Sequence, residues 1–215
     1  VYINRELAAS DPATAAQTFV EEAGHHLDAQ LNTVDTRGDE GEMFRRLLAG
    51  ETGATVSTIG EPLSGEIVVL AVPFGAIDDI IASHGAQLDG KVVVDITNPV
   101  DFSTFDDLVV PADGSAAAVL ADKVPGARVV KAFNTNFAAS LASGTVGDQA
   151  STVLVAGDDK DAKDALIELV RAGGLQAEDA GSLKRARELE ALGFLQITLA
   201  ATEKVGWAGG FALVR

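Results

Sequence analysis

The stretch "EIVVLAV" at residues 66–72 decides the fold, because every residue after the first is apolar and three are valines. Similar runs follow along the chain: "KVVVDI" (91–96), "ARVVKAF" (127–133) and "STVLVAG" (151–157). Short apolar runs rich in β-branched residues are typical of strands that are buried on both faces of a sheet. The sequence therefore predicts a central sheet that is covered on both sides.

Helical patterns separate these runs at residues 75–84, 114–123 and 160–172. Strands that alternate with helices are the signature of an α/β domain with a mostly parallel sheet. Apolar residues at helical spacing then continue from 183 to about 205, interrupted only by Gly193, which predicts a long C-terminal helix. Such a helix usually packs across the sheet or against a second subunit, so we expect a homodimer.

Residues 1–52 differ from the rest of the chain in their sequence pattern. "VYINREL" at the start could form a strand, and Asp11 followed by Pro12 is a plausible beginning for a helix of about five turns. We place a boundary near Thr52, which gives an atypical N-terminal segment, 1–52, and an α/β domain, 53–215. "GATVSTIG" (53–60) supplies the first strand expected in that second part.

The amino-acid composition limits the kinds of molecule that we expect the chain to bind. The chain has 215 residues, 47% of them hydrophobic, no cysteine and a net charge of −16. That charge repels phosphate backbones, so we expect neither nucleic acid nor an anionic membrane surface as a partner. No segment approaches the roughly 20 apolar residues that span a bilayer, and the pattern of a signal peptide is absent. A cytoplasmic protein that binds small molecules is the expectation.

Three of the predicted strands end in polar or proline-bearing loops: "AVPFGA" (71–76), "DITNPVDF" (95–102) and "KAFNTN" (131–136). The carboxyl ends of parallel strands lie at one edge of a sheet, where open α/β sheets bind ligands. The loops offer amides and hydroxyls but few titratable groups. Such a site suits a cofactor that carries out the chemistry while the protein orients it.

Several longer stretches carry a resemblance to a known family. They are "VVLAVPFGAI", "GKVVVDITNPVDF", "VPADGSAAAVLADKVPGARVVKAFNTNFA", "VLVAGDD" and "DAGSLKRARELEALGFLQITLA". In this order they resemble the NADP oxidoreductases of the coenzyme F420-dependent type, over about residues 53–215. The resemblance implies a Rossmann-like domain that passes a hydride between NADP(H) and a deazaflavin, a flavin or a related acceptor.

The resemblance also implies where the ligands bind. In that family the loop matching Val72, Pro73 and Phe74 lies along the nicotinamide ribose. The loops matching Asn98-Pro99 and Ala132-Phe133-Asn134-Thr135 flank the nicotinamide and the acceptor ring, with Phe133, Asn134 and Thr135 on the acceptor side. "ATVSTIG" resembles the family's second strand, which adds Ile59 and Gly60 to the expected cofactor contacts.

Two departures from the family pattern concern the dinucleotide. The sequence has no glycine-rich turn of the G-x-G-x-x-G type, whose backbone amides approach a pyrophosphate. Glu61 occupies the position where the family often has a basic residue that binds the 2′-phosphate of NADP. NAD is therefore an alternative to NADP. A further alternative is a family member that has lost cofactor binding and acts as a binding or scaffold protein.

Histidines and carboxylates crowd together in "FVEEAGHHLD" at residues 19–28. Glu21 and His25 share one face of the predicted helix, and Glu40 could return as a third metal ligand, a set that suits zinc, manganese or iron. The segment loosely resembles a zincin-like part of large secreted bacterial repeat proteins, so a metal-dependent hydrolase is a third hypothesis. A solvent-facing helix with Glu–His pairs is the simpler interpretation.

Overall fold

A computed structural model describes residues 2–3, 62–101 and 103–214 of the chain. Its main sheet has six strands in the order β1-β2-β3-β4-β7-β8, and β5 and β6 form a separate hairpin. The strands are β1 (Tyr2–Ile3), β2 (Ile67–Leu70), β3 (Val92–Asp95), β4 (Arg128–Lys131), β5 (Thr145–Val146), β6 (Gln149–Ala150), β7 (Thr152–Gly157) and β8 (Gln176–Gly181). The four strands expected from the apolar runs are confirmed as β2, β3, β4 and β7.

The centre of the sheet is parallel, as predicted. β2 pairs with β3 and β3 with β4 in parallel register, and β7 pairs with β8 in the same way. β7, however, runs antiparallel to β4, with Val130 opposite Gly157. The chain between them folds into a short helix and the β5–β6 hairpin, and it enters β7 beyond the carboxyl end of β4. For β7 to run parallel to β4, the chain would have had to cross back to the amino end of β4 before it entered β7.

The helices are α1 (Ile77–His84), α2 (Ala116–Lys123), α3 (Ala138–Ser143), α4 (Lys160–Ala172) and α5 (Ala186–Ala201). The side chains of Ser115 and Asp159 accept hydrogen bonds from the backbone N–H groups of Ala118 and Ala162, which caps the N-termini of α2 and α4. The predicted C-terminal helix is confirmed as a 3-10 turn at Leu183–Arg185 followed by α5. It ends at Ala201, before the predicted limit of residue 205.

The core lies on both faces of the sheet. Val92 and Val94 of β3 face α4, whereas Val93 between them packs with Leu120 of α2 on the opposite face. All three valines are at most 3% exposed. Burial on both faces explains why the strand sequence is a continuous apolar run, and it confirms the layered α/β architecture.

Residues 4–61 lie outside the described part of the chain, and with them the predicted boundary near Thr52 and the strand at 53–60. Tyr2 and Ile3 belong to the described part, and they form β1 at the edge of the sheet, antiparallel to β2. That much of the strand predicted for "VYINREL" is confirmed. Among the described helices, none has the length and apolar character needed to cross a bilayer.

Candidate functional site

The loops that follow β2, β3 and β4 lie at one edge of the sheet, because these three strands are parallel. At this edge Pro73 is exposed and its neighbours Val72 and Phe74 are half-buried. The remaining described positions that the sequence singled out are buried: Asn98, Pro99, Ala132, Phe133, Asn134 and Thr135. The edge therefore has an accessible part on the β2 side and a covered part on the β3 and β4 side.

Asn98 and Asn134 bind each other across the β3 and β4 loops. Nδ2 of Asn98 donates to the backbone oxygen of Asn134, and Nδ2 of Asn134 donates to Oδ1 of Asn98, both at 3.0 Å. Nδ2 of Asn134 also donates to the backbone oxygen of Leu189 in α5 at 2.9 Å. This pair, called the asparagine clasp below, joins two strand-end loops to the C-terminal helix.

Three buried oxygens in the loops after β3 and β4 have no hydrogen-bond partner in the described structure, namely Oγ1 of Thr97, Oδ1 of Asn134 and Oδ1 of Asn136. Their residues are at most 7% exposed. A buried polar atom without a partner typically costs about 1–3 kcal/mol. Each such atom in a native structure requires an explanation, and at this edge of an α/β sheet a ligand contact is one.

A tight turn at Phe133 directs the Asn134 side chain toward this edge. The backbone N–H of Asn134 donates to the carbonyl of Ala132 at 2.8 Å, and the φ angle of Phe133 between them is +64°. This is the bond pattern of a γ-turn with a left-handed central residue, a strained form outside glycine. Phe133 itself is 0% exposed and belongs to the core on the α4 side.

A buried cluster of charges, called the ion triad below, lies under the same edge. The ammonium of Lys131, at the end of β4, contacts Oδ2 of Asp95 at 2.9 Å and Oε1 of Glu190 at 3.0 Å. All three side chains are at most 1% exposed. The sequence indicated few titratable groups here, and the triad was missed because its members lie in three separate elements.

A signal for the triad does exist in the sequence. Asp95 is the lone charge of β3, Lys131 ends β4 after two buried valines, and the two charges face each other in the register of β3 and β4. Opposite charges at matched ends of two buried strands indicate an ion pair. Glu190 lies in a long helix with other acidic residues, so its partner could not be identified in the same way.

Burial raises the pKa of the Glu190 carboxyl above its ordinary value of 4.5, and the neighbouring Asp95 adds to the rise. The charge of Lys131 and its hydrogen bond act in the opposite direction, as does the bond from the backbone N–H of Ala116. Two carboxyl groups thus share one cation in a buried site, which is why the neutral form of Glu190 is favoured relative to a carboxyl in solution.

We expect Glu190→Gln to change how stability depends on pH. Because the pKa of Glu190 is higher in the folded chain, the folded state keeps this proton above pH 4.5 after the unfolded state has lost it. Wild-type stability therefore falls as the pH rises through that range. Glutamine does not titrate, so the free energy of unfolding of the variant should increase relative to that of the wild type as the pH rises above about 4.5.

Denaturant unfolding of both proteins at several pH values measures this difference. A matched substitution of an exposed carboxylate, Glu203→Gln, should leave the wild-type slope nearly unchanged. A difference between wild type and Glu190→Gln that stays constant across the range would contradict a raised pKa.

Other predicted ligand positions lie outside the described residues: Ile59, Gly60, Glu61, and the metal candidates Glu21, His25 and Glu40. Within residues 62–101 and 103–214, no cluster of three His, Asp or Glu side chains could hold a metal ion. The metal site at residues 19–40 stays a prediction.

Comparison with known proteins is consistent with this geometry. The profile of a family described as NADP oxidoreductase coenzyme F420-dependent matches residues 14–99, a range that includes the histidine-rich stretch 19–28. The F420-dependent NADP reductase of Methanothermobacter marburgensis is 34% identical over 163 residues, which is 73% of this chain and 71% of that protein.

Two further relatives extend the comparison. A crystal structure described as an F420-dependent NADP reductase from Arthrobacter sp. FB24 superposes with a TM-score of 0.71 at 25% identity, covering 93% of this chain and 96% of the other. Rat metalloreductase STEAP3 is 35% identical over 139 residues. That match is 65% of this chain, yet the chain spans only 27% of the length of the metalloreductase.

Proposed function

The chain belongs to the family described as NADP oxidoreductase coenzyme F420-dependent, and on that premise we propose that it transfers a hydride between NADP(H) and a deazaflavin. Coenzyme F420 is the acceptor that its relatives' names suggest, and a flavin is the closest chemical alternative. The reduced nicotinamide supplies the hydride when it is bound. The chain's own residues bind the two rings, orient them and exclude water.

Two of the buried oxygens without partners carry this proposal. Oγ1 of Thr97 and Oδ1 of Asn134 are uncharged, and they lie at the edge of the sheet where ligands bind. A nicotinamide carboxamide and a deazaflavin ring edge both present uncharged N–H and C=O groups, which suit such partners. The exposed Pro73 and the half-buried Phe74 would hold the accessible side of the ligand. We propose Val72, Asn98 and Pro99 as further cofactor contacts.

NADP is the proposed dinucleotide, and NAD stays an alternative because of Glu61. A carboxylate at that position would repel a 2′-phosphate and accept hydrogen bonds from ribose hydroxyls. The sequence contains no glycine-rich turn of the usual kind, so we expect the rings and riboses to contribute more of the binding than the pyrophosphate does.

Binding and turnover test the proposal in one series. Fluorescence of Trp207 and the thermal midpoint are followed as NADPH or NADH is added, and hydride transfer is followed by the absorbance of the deazaflavin. We expect a thermal shift with at least one dinucleotide and turnover with coenzyme F420. A folded chain that binds neither dinucleotide at millimolar concentration would contradict the proposal, and it would favour a scaffold that has lost cofactor binding.

We also propose that the chain is a homodimer, formed through α5 and the segment that follows it. Large apolar side chains are exposed there: Leu195 is 50% exposed, Phe211 46%, Leu213 49% and Val214 68%. Oε1 of Gln196 accepts a hydrogen bond from the backbone N–H of Phe211 at 3.1 Å, which ties this tail to the helix. Exposed apolar side chains on connected segments are typical of an interface between proteins.

Leu195→Glu should convert the dimer to a monomer, because an interfacial carboxylate would be buried without a partner. Size-exclusion chromatography with light scattering should find roughly twice the chain mass of 22.1 kDa for the wild type and a single chain mass for the variant. Ala82→Glu is the control, since Ala82 is exposed on α1. A monomeric wild type would contradict the dimer.

We further propose that the chain works in the cytoplasm. A reaction between a dinucleotide and a deazaflavin needs the pools of both cofactors, which supports this location. Cell fractionation with an antibody to the protein tests this location.

A further inference from the structure

We propose that Lys131 is a positioning residue for the proposed hydride transfer, acting through the backbone of Thr97. The inference rests on the proposed function, and it concerns a buried lysine to which no ligand contact was assigned. Through the ion triad Lys131 fixes the backbone of Thr97, the second residue after β3, and with it the place of Thr97 Oγ1 at the ligand-binding edge.

The bonding of Lys131 is complete without any ligand. An ammonium has three N–H donors. Nζ of Lys131 donates to Oδ2 of Asp95 at 2.9 Å, to the backbone oxygen of Thr97 at 2.5 Å and contacts Oε1 of Glu190 at 3.0 Å. With three acceptors in place the side chain has one orientation, so it is a fixed point between β3, its loop and α5.

Thr97 is held at both of its backbone groups by members of the triad. Its N–H donates to Oδ1 of Asp95 at 2.9 Å, and its carbonyl accepts from Lys131. The side-chain oxygen is the one polar group of Thr97 with no partner among the described residues. A residue whose backbone is anchored twice presents its hydroxyl at a constant place, as a preorganised ligand contact requires.

Glu190 extends the same network to two helices. Its Oε2 accepts from the backbone N–H of Ala116 at 2.8 Å and its Oε1 from that of Ala117 at 3.3 Å, both in the first turn of α2. The preceding residue, Leu189, accepts from Asn134 of the asparagine clasp. The triad and the clasp thus attach α5 to both strand-end loops and to α2 within two consecutive residues of α5.

Stability alone is a weak reason for such a cluster. Replacing a buried ion pair by well-packed apolar side chains is often neutral or stabilising. Here, moreover, several hydrogen bonds of the triad go to backbone atoms of the Thr97 loop and of α2 rather than from one side chain to another. The geometry is that of a support for a loop, and the supported loop is the one next to the proposed ligand.

The test compares two variants that carry no charge in the triad and differ only at residue 131. One combines Asp95→Asn, Glu190→Gln and Lys131→Met, and the other has Lys131→Gln in place of the methionine change. Glutamine can still donate to the Thr97 carbonyl, whereas methionine cannot. Both remove the unbalanced charges that would arise from changing Lys131 alone. Thermal midpoint, kcat and both KM values are measured with NADPH and coenzyme F420.

We expect kcat to decrease in the order wild type, glutamine variant, methionine variant, with about a tenfold difference between the two variants at similar thermal midpoints. KM for NADPH should change less than about threefold, because a displaced loop affects ring alignment more than it affects overall binding. Equal kcat values in the two variants would overturn the proposal. If the methionine variant does not fold, Lys131→Leu in the same Asp95→Asn, Glu190→Gln background takes its place, and a kcat equal to that of the glutamine variant overturns the proposal.

Lys163→Met is the matched control, because Lys163 is also buried, at 8% exposed, and pairs with Asp179 at 2.8 Å away from the Thr97 loop. It should lower the thermal midpoint and leave kcat near the wild-type value. A comparable loss of kcat in this control would overturn a specific role for Lys131. The wild type is measured first: a wild type without turnover overturns the proposed function, whereas an active wild type with two equally active triad variants overturns only the positioning role.

Discussion

Replacing Lys131 alone by methionine is expected to lower the free energy of unfolding by about 3–5 kcal/mol. The change removes the only cation of the triad and leaves the carboxylates of Asp95 and Glu190 facing each other, each 1% exposed. It also removes the donor to the Thr97 carbonyl. Removing one member of a buried ionic cluster is costly because the remaining charge has lost both water and partner. Denaturant unfolding at neutral pH measures the loss.

The control for this experiment is an exposed lysine in an ion pair. Lys160 contacts Asp164 one helical turn away in α4, with a side chain that is 78% exposed. Its replacement by methionine should change the free energy of unfolding by no more than about 0.5 kcal/mol. A loss below about 1 kcal/mol for Lys131→Met would show that the two carboxylates find other partners, and it would contradict the structure of the triad.

Gly193→Ala should lower the free energy of unfolding by about 1–3 kcal/mol, although alanine is the better helix former. An added Cβ at this position would lie 2.5 Å from Oδ1 of Asn98 and 2.7 Å from the backbone oxygen of Asn134. The second atom is backbone at the strained turn and cannot rotate away, so α5 must move off the asparagine clasp. That cost exceeds the roughly 1 kcal/mol of helix propensity that alanine gains over glycine.

Gly206→Ala provides the comparison, because nothing lies within 4 Å of a Cβ built there and its φ is not in the left-handed region. We expect a change within about 0.5 kcal/mol for this surface substitution. Thermal and denaturant unfolding of both variants measures the two changes in the free energy of unfolding. Stability of Gly193→Ala equal to or above that of the wild type would show that α5 tolerates a greater separation from the clasp than the structure indicates.

The sequence was sufficient for the central architecture. Continuous apolar runs predicted β2, β3, β4 and β7, since buried strands differ in pattern from everything around them. β8, "QAEDAG", was not predicted, because it is a largely exposed edge strand whose polar residues meet solvent. The sequence pattern also did not predict that β7 runs antiparallel to β4. The direction of β7 depends on where the intervening residues return the chain to the sheet.

The candidate site was predictable only as a set of loops. The parallel arrangement placed Asn98 and Asn134 at one edge, and the structure confirms that they lie together. Their mutual bonding depends on the turn at Phe133, whose left-handed φ no residue preference would have indicated. Likewise, Lys131 could be recognised as an unusual charge in a strand, but its third partner, Glu190, is set by the docking of a helix distant in sequence.

The ion triad has a consequence for the order in which the chain is made and folded. Asp95 and Lys131 leave the ribosome well before Glu190, so the strands can pair while the ammonium still lacks one of its three acceptors. Burying it in that condition is unfavourable, so we expect the Lys131 ammonium to stay hydrated until α5 docks. The ligand edge is thus completed only when α5 is in place, and a nascent protein halted before residue 190 would have a sheet without a finished site.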